Sequence, residues 1–347
     1  MTRVRGLDVA RGLALIGMVV AHLDARIDFD PGVAASWHHV GDGRAAVLFV
    51  VVAGFSLALS TGGPTPHARR RRADDRLAVL ARSAVLAGLG AALTALGTPV
   101  AVILTSYAVF FVLALPLLHS GPLPTLAVGT ALALGGPLLV ALAARELPEL
   151  ASDPVGELLV GQPYPAGQWT GFLLVGLGLG RLRLRASVLA GLVVVGLGTG
   201  IALHAFALDL SDRLRLKDLF GEAILTQALR SDHRSVNPLE AASALAICLG
   251  VLAASLLLTP HARGLLRPLE AVGRMTLTLY VAHLVAYAVA IGIDPALEEG
   301  SGALAAWTVV IALAVAGAWF VRFRRGPLEQ ALHVLVTRAR GAADTAA

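Results

Sequence analysis

Cysteine and lysine are almost absent from this chain, and charge of either sign is scarce. A single cysteine, Cys248, lies inside an apolar run of a 347-residue sequence. One thiol excludes an intrachain disulfide framework and a cysteine-based metal site, and its surroundings read as those of a buried small hydrophobe. Lysine occurs once, at Lys217, against 27 arginines. With abundant Ala and Gly, that bias points to a GC-rich bacterial genome. Only 15% of residues are charged while 56% are hydrophobic, and the mean hydropathy is +0.76. A soluble domain of this length is rarely so apolar. The sequence also lacks a Gly-x-x-x-x-Gly-Lys-Ser/Thr loop for nucleoside triphosphates. Its adjacent His38-His39 has neither the helical spacing nor the cysteine partners of a metal set, so no metal is expected. A pI near 10 does not imply nucleic acid, because the basic residues sit between apolar spans rather than along one polar face.

What the chain does have is ten apolar segments, at 7–23, 44–61, 77–97, 99–119, 123–144, 167–181, 186–208, 239–259, 275–293 and 302–321. A hydrocarbon core about 30 Å thick needs roughly 20 apolar residues per helix. The expected fold is therefore all-α, a polytopic transmembrane bundle of about ten helices. Most of the arginines fall in alternate connections: the N-terminal residues, Arg69 to Arg72 with Arg76, Arg181 to Arg185, Arg263 to Arg274, and Arg322 to Arg340. Short basic loops face the cytoplasm, which puts both termini there and makes a bacterial plasma membrane the expected location. The other connections carry Asp24, Asp28, Asp30, Asp42, Glu146, Glu149, Asp153, Glu157, Asp212, Asp218, Glu222, Asp232, Asp294, Glu298 and Glu299. Losing either the tight Gly97-Thr98-Pro99 connection or the short sixth span would invert everything downstream and spoil this match. The first apolar run, with Arg3, Arg5 and Arg11 at its start, imitates a signal peptide, but no clear small-residue cleavage site comes after it, so it reads as a retained helix. Segment 322–340 reads as a surface helix against anionic lipid headgroups.

Several polar residues stand out against this background. Asp8 and Arg11 are spaced i, i+3 on the first helix and can neutralise one another. At membrane depth such groups are costly and usually face a polar interior. Arg11 also suits an anionic cofactor phosphate, which a planar guanidinium can bind through two parallel hydrogen bonds. His22 lies near the outer end of the same helix, and His38, His39, Asp42 and Arg44 follow. That cluster offers an imidazole base, a carboxylate to hold its tautomer, and a cation to stabilise negative charge. Long outer connections at 24–43, 145–166 and 209–238 are expected to be functional. Gly176, Gly178 and Gly180 read as close helix packing rather than a dinucleotide fingerprint. His204 and His283, near helix ends, make a poor proton path.

The string Leu7-Asp8-Val9-Ala10-Arg11-Gly12-Leu13-Ala14-Leu15 resembles the first membrane helix of the heparan-α-glucosaminide N-acetyltransferase-like family and of related YeiB-type bacterial membrane proteins. Gly43-Arg44-Ala45-Ala46-Val47-Leu48-Phe49 through Ala53-Gly54-Phe55-Ser56-Leu57 looks like their second helix. Tyr164-Pro165-Ala166-Gly167-Gln168-Trp169 leading to Gly178-Leu179-Gly180-Arg181, and Asp232-His233-Arg234-Ser235-Val236-Asn237-Pro238-Leu239-Glu240, resemble signatures of actinobacterial members. Gly273-Arg274-Met275-Thr276-Leu277-Thr278-Leu279-Tyr280 and Gly326-Pro327-Leu328-Glu329 resemble the YeiB-type C-terminal region.

The resemblance implies one integral-membrane domain with an acyltransferase-like half at 1–144, a YeiB-like half at 145–325 and a cytoplasmic tail at 326–347. It implies acyl transfer from cytoplasmic acyl-CoA, acetyl-CoA in the first instance, to a sugar or glycolipid outside, in contact with membrane lipids and open to homodimerisation. Carried onto this sequence, Asp8, Arg11 and Arg44 would serve the cofactor, and His38, His39 and Asp42 the chemistry. His22, Tyr164, Trp169 and His233 would line the acceptor site. Where animal members read His-Ala-Ser-Trp, this chain reads Ala34-Ala35-Ser36-Trp37, with His38 and His39 immediately after. Their acidic position in the second helix falls near Gly43 or Arg44. A transporter or flippase for an envelope lipid or glycan, or a non-catalytic partner in envelope assembly, is the alternative reading.

Overall fold

The computed structural model describes residues 4–24, 41–147, 149, 154–216 and 237–344. Their regular structure is helical throughout: α1 (Arg5–Leu23), α2 (Arg44–Ser60), α3 (Arg72–Thr94), α4 (Ile103–Leu113), α5 (Pro122–Glu146), α6 (Pro154–Val160), α7 (Ala166–Gly180), α8 (Ala186–Leu216), α9 (Pro238–Leu258), α10 (Arg263–Arg274), α11 (Thr276–Ile293), α12 (Gly302–Arg322) and α13 (Pro327–Asp344). Among the described residues, seven helices are long and apolar enough to cross a membrane: α1, α3 with the turn before it, α5, α8, α9, α11 and α12.

Three of the ten expected spans are shorter than a bilayer. At 1.5 Å per residue, α2, α7 and α4 rise about 25, 22 and 16 Å. Burial explains how they persist. Nearly all of α7 is buried, packed between α2 and α5. A helix enclosed by protein does not have to match the hydrocarbon thickness. The expected span at 99–119 breaks up for a local reason: Pro116 disfavours helix at the residue before it, and a 3-10 turn at Leu115–Leu117 follows α4. Conversely, the basic stretch expected as a connection at Arg263–Arg274 is a helix, and α8 runs past its expected end to Leu216.

Small residues set the closest crossings. A Cβ on Gly176 would lie 1.9 Å from the Val51 carbonyl oxygen, and one on Gly54 would lie 1.9 Å from that of Leu173, so α2 and α7 touch backbone to backbone. One apolar core runs from Leu7 in α1 to Ala316 in α12. The lipid-type surface is on the other side: Val321 of α12 is 89% exposed, with Trp307 and Ile311 also exposed.

The end of the bundle that holds most of the arginines is tied by buried polar clamps. Arg181, 2% exposed, donates through one terminal nitrogen to the carbonyls of Ala58, Thr61 and Gly63 and through the other to Thr61 Oγ1 and the Leu118 carbonyl. These bonds fasten the turn after α2 to the end of α7 and to the segment that follows α4. Nearby, His67 Nδ1 and His119 Nε2 both donate to Asp75 Oδ2, at 2.8 and 3.0 Å.

Candidate functional site

Two glycines bring the cavity-forming helices together. A Cβ on Gly273 would sit 1.6 Å from the Asp8 carbonyl oxygen, and one on Gly12 would sit 2.2 Å from that of Leu269. Only glycine permits α1 to cross α10 this closely, and the crossing sets Arg11 beside the start of α11. Asp8 and Arg11 form the ion pair that their spacing predicts, at 2.7 Å, with Asp8 2% and Arg11 27% exposed. Arg11 also donates to Ser56 Oγ, and Ser56 Oγ donates to the Val52 carbonyl at 2.6 Å.

The guanidinium held in this way lines a cavity of about 370 Å³. Arg82, Arg274 and Arg325 complete its cationic wall, and Phe49, Ala53, Leu86, Leu104 and Phe111 make it apolar further in. Arg274 stacks its guanidinium 3.8 Å above the Phe320 ring and donates to the Arg324 carbonyl at 3.0 Å. On the α13 side stand Glu329, Leu332 and His333. Glu329 is a cap as well as a wall: its carboxylate accepts from the Leu277 and Thr278 N–H groups and from Thr278 Oγ1, at 2.6, 3.1 and 2.7 Å. These are open donors at the start of α11, where negative charge is favoured. The Leu328 N–H donates in turn to Thr278 Oγ1, so the Gly273–Tyr280 and Gly326–Glu329 motifs meet in space.

Tyr107 and Tyr280 also line the cavity, and beyond Tyr280 lie two histidines. The Tyr280 ring is 5.1 Å from His283 and 6.4 Å from His22, centroid to centroid. His22 Nδ1 is 3.1 Å from His283 Nε2, and His283 Nδ1 is 3.2 Å from the Leu279 carbonyl. A carbonyl only accepts, so His283 carries its proton on Nδ1 and accepts at Nε2. His22 then donates from Nδ1, which leaves its Nε2 lone pair as a base. His22 is about 16 Å beyond Arg11 along α1.

The structure separates the other sequence-derived residues. Arg44 does not join Arg11: Ser56, which touches Arg11, lies twelve residues and about 18 Å further along α2. Instead Arg44 interacts electrostatically with Asp42, Glu240 and Cys248, and with His204 of α8, towards the end opposite the arginines. Trp169 is 3% exposed, with rings of Tyr164, Phe110 and Phe172 at 5.0, 6.3 and 5.6 Å. These rings pack it into the core. Tyr164 donates to the Ala101 carbonyl at 3.3 Å, and burial pushes its phenol up to about 12, so it keeps that proton. His38, His39 and His233 lie outside the described residues.

Arg82, Tyr107, Tyr280, His283 and Glu329 escape the sequence reading as site residues. Arg82 did carry a signal, an isolated cation well inside an apolar span. The pairing of His283 with His22 joins residues 261 positions apart and has no local signature.

Residues 3–193 match the family described as heparan-alpha-glucosaminide N-acetyltransferase, catalytic. More than half of the chain is covered by that match. The chain belongs to this family of membrane acetyltransferases. Residues 183–339 also match a family of unknown function, DUF418, in agreement with the YeiB-type resemblance. No curated protein and no solved structure matches the chain. For a member of the acetyltransferase family the arrangement has a direct consequence: Arg11, Arg82 and Tyr107 come from the catalytic match, whereas Arg274, Tyr280, Arg325, Glu329 and His333 come from the region of unknown function. One cavity is built from both.

Proposed function

We propose that this protein is a membrane-embedded acyltransferase of the bacterial plasma membrane. It moves an acyl group, acetyl in the first instance, from cytoplasmic acyl-CoA to a sugar or glycolipid acceptor on the opposite face. The observation that carries this reading is the cavity. Four guanidinium groups at its wall match the phosphates of a CoA ester, and the apolar side chains further in match a pantetheine arm and a short acyl group. Placing the arginine-rich end in the cytoplasm by the positive-inside rule makes the cavity accessible to the donor.

The chemistry asked of the residues is modest. A histidine takes the proton from the acceptor's amine or hydroxyl as that atom attacks the thioester carbon. The carbon–sulfur bond breaks, and the proton passes to the departing thiolate. His38 and His39 are the bases named by the sequence. Geometry favours His22, whose bare Nε2 is oriented by His283. A general base is typically worth about 10² to 10⁴ in rate. The test is transfer of radiolabel from acetyl-CoA by purified protein in proteoliposomes offered an envelope glycan and lipid extract, with His22→Ala, His38→Ala and His39→Ala alongside. Labelled product that disappears in His22→Ala supports the reading and picks the base. No product with any acyl-CoA defeats it.

A further inference from the structure

Tyr107 and Tyr280 are the two most enclosed polar side chains of the cavity, at 3% and 1% exposure, and neither hydroxyl donates a hydrogen bond to a partner among the described residues. Buried hydroxyls are nearly always satisfied, and an orphan calls for an explanation. Here there are two, contributed by α4 and α11, close enough to interact electrostatically with one another. Tyr107 is also within electrostatic reach of Arg11. The Tyr280 oxygen faces the backbone N–H of Ile103, the first residue of α4, which is itself 1% exposed. A helix N-terminus buried at this depth directs positive potential into the same place.

Both rings are fixed. Phe49, Phe110 and Phe111 pack around Tyr107 with centroids 5.6 to 5.8 Å away, and the two histidines flank Tyr280. Two rigid, unsatisfied donors at the enclosed end of a cationic cavity have the properties required to stabilise a developing oxyanion.

We propose that the Tyr107 and Tyr280 hydroxyls form the oxyanion site of the transfer reaction, an inference that rests on the acyl-transfer reading above. When the acceptor atom bonds to the thioester carbon, the carbonyl π pair moves onto oxygen, and both hydroxyls donate to that oxygen. Collapse restores the carbonyl, breaks the carbon–sulfur bond and releases the thiolate, which takes the proton held by the base. The tyrosines end as they began, with no net proton gained or lost. Because one tyrosine belongs to each family-matched region, the region of unknown function would supply a catalytic residue.

Tyr107→Phe and Tyr280→Phe keep the rings and remove only the hydroxyls. In the proteoliposome assay each is expected to lower kcat about 10²- to 10³-fold, with CoA binding by calorimetry unchanged. The double variant should fall less than the product of the two singles, because the donors act on one oxygen. An active wild-type protein whose two Phe variants stay within about threefold of it overturns the oxyanion assignment and leaves acyl transfer standing. A wild-type protein that binds CoA but transfers nothing overturns both. Should a Phe variant lose CoA binding or its folded state, replacing the protein's four tyrosines by 3-fluorotyrosine keeps the packing and raises phenol acidity. A changed rate at unchanged CoA affinity then supports the assignment, and an unchanged rate refutes it.

Discussion

The regions 3–193 and 183–339 differ in what their families reveal, the first described as catalytic and the second as of unknown function. They are matched in the arginines and tyrosines they give to the cavity. Each contributes two of its four arginines and one of its two tyrosines, and each contributes one histidine of the His22–His283 pair. The first region alone would leave Arg11 and Arg82 without Arg274, Arg325 and Glu329 in the wall. The second would have a capped helix start with nothing to enclose. A family boundary in sequence is therefore not a boundary in the fold, and the second region is better understood as half of one cavity than as an accessory.

Separating the two regions physically should have the largest effect. Gly273→Leu inserts a side chain where a single Cβ already reaches the Asp8 carbonyl. The cost should reach or exceed the roughly 1–3 kcal/mol of ordinary overpacking, seen as loss of the monodisperse peak in size-exclusion chromatography. His22→Ala should come next, lowering transfer about 10²- to 10⁴-fold. His283→Leu should give a smaller loss that His283→Asn partly restores, because Asn still offers an acceptor to His22 Nδ1. Arg11→Gln and Arg274→Gln test whether both regions hold the donor. Each removes a charge-assisted contact worth about 1.5–3 kcal/mol, so CoA affinity by calorimetry should fall about tenfold to a hundredfold in either. An effect in only one would break the symmetry. Glu329→Gln keeps the cap's shape but removes its charge, and a stability loss of about 1 kcal/mol is expected in thermal unfolding. Arg44→Gln should leave CoA affinity unchanged, since Arg44 is not among the residues that line the cavity and lies about 18 Å along α2 from Ser56, the contact of Arg11.

Much of the helical architecture was legible because hydrophobic length is a local signal. Each of the ten apolar segments contains a helix. The Asp8–Arg11 pair was also legible, because i, i+3 spacing fixes it without tertiary information. What the sequence misjudged depends on burial. It took α4 for a full span, although Pro116 and an enclosed start at Ile103 make it short. It grouped Arg44 with Arg11 by charge, when the length of α2 holds them apart. It assigned Trp169 to the outer acceptor pocket with no sign of the Tyr164, Phe110 and Phe172 rings that surround it. Tyr107 carries no signal as an isolated residue in an apolar run, and Tyr280 is legible only as the end of a C-terminal motif. Their meaning appears only when α4 and α11 bring two unsatisfied hydroxyls to one cavity.

The central claim is that an acyl group enters at the arginine-rich end and leaves at the other. It is tested most directly by a sided assay in oriented proteoliposomes, with acetyl-CoA and a membrane-impermeant sugar acceptor on opposite faces. Orientation would be read by labelling single cysteines introduced at Arg70 and at Glu298. The account predicts acetylated sugar only when acetyl-CoA is on the Arg70 face and the acceptor is on the Glu298 face. Product formed equally well with the two compounds exchanged, or none in either arrangement, would contradict it.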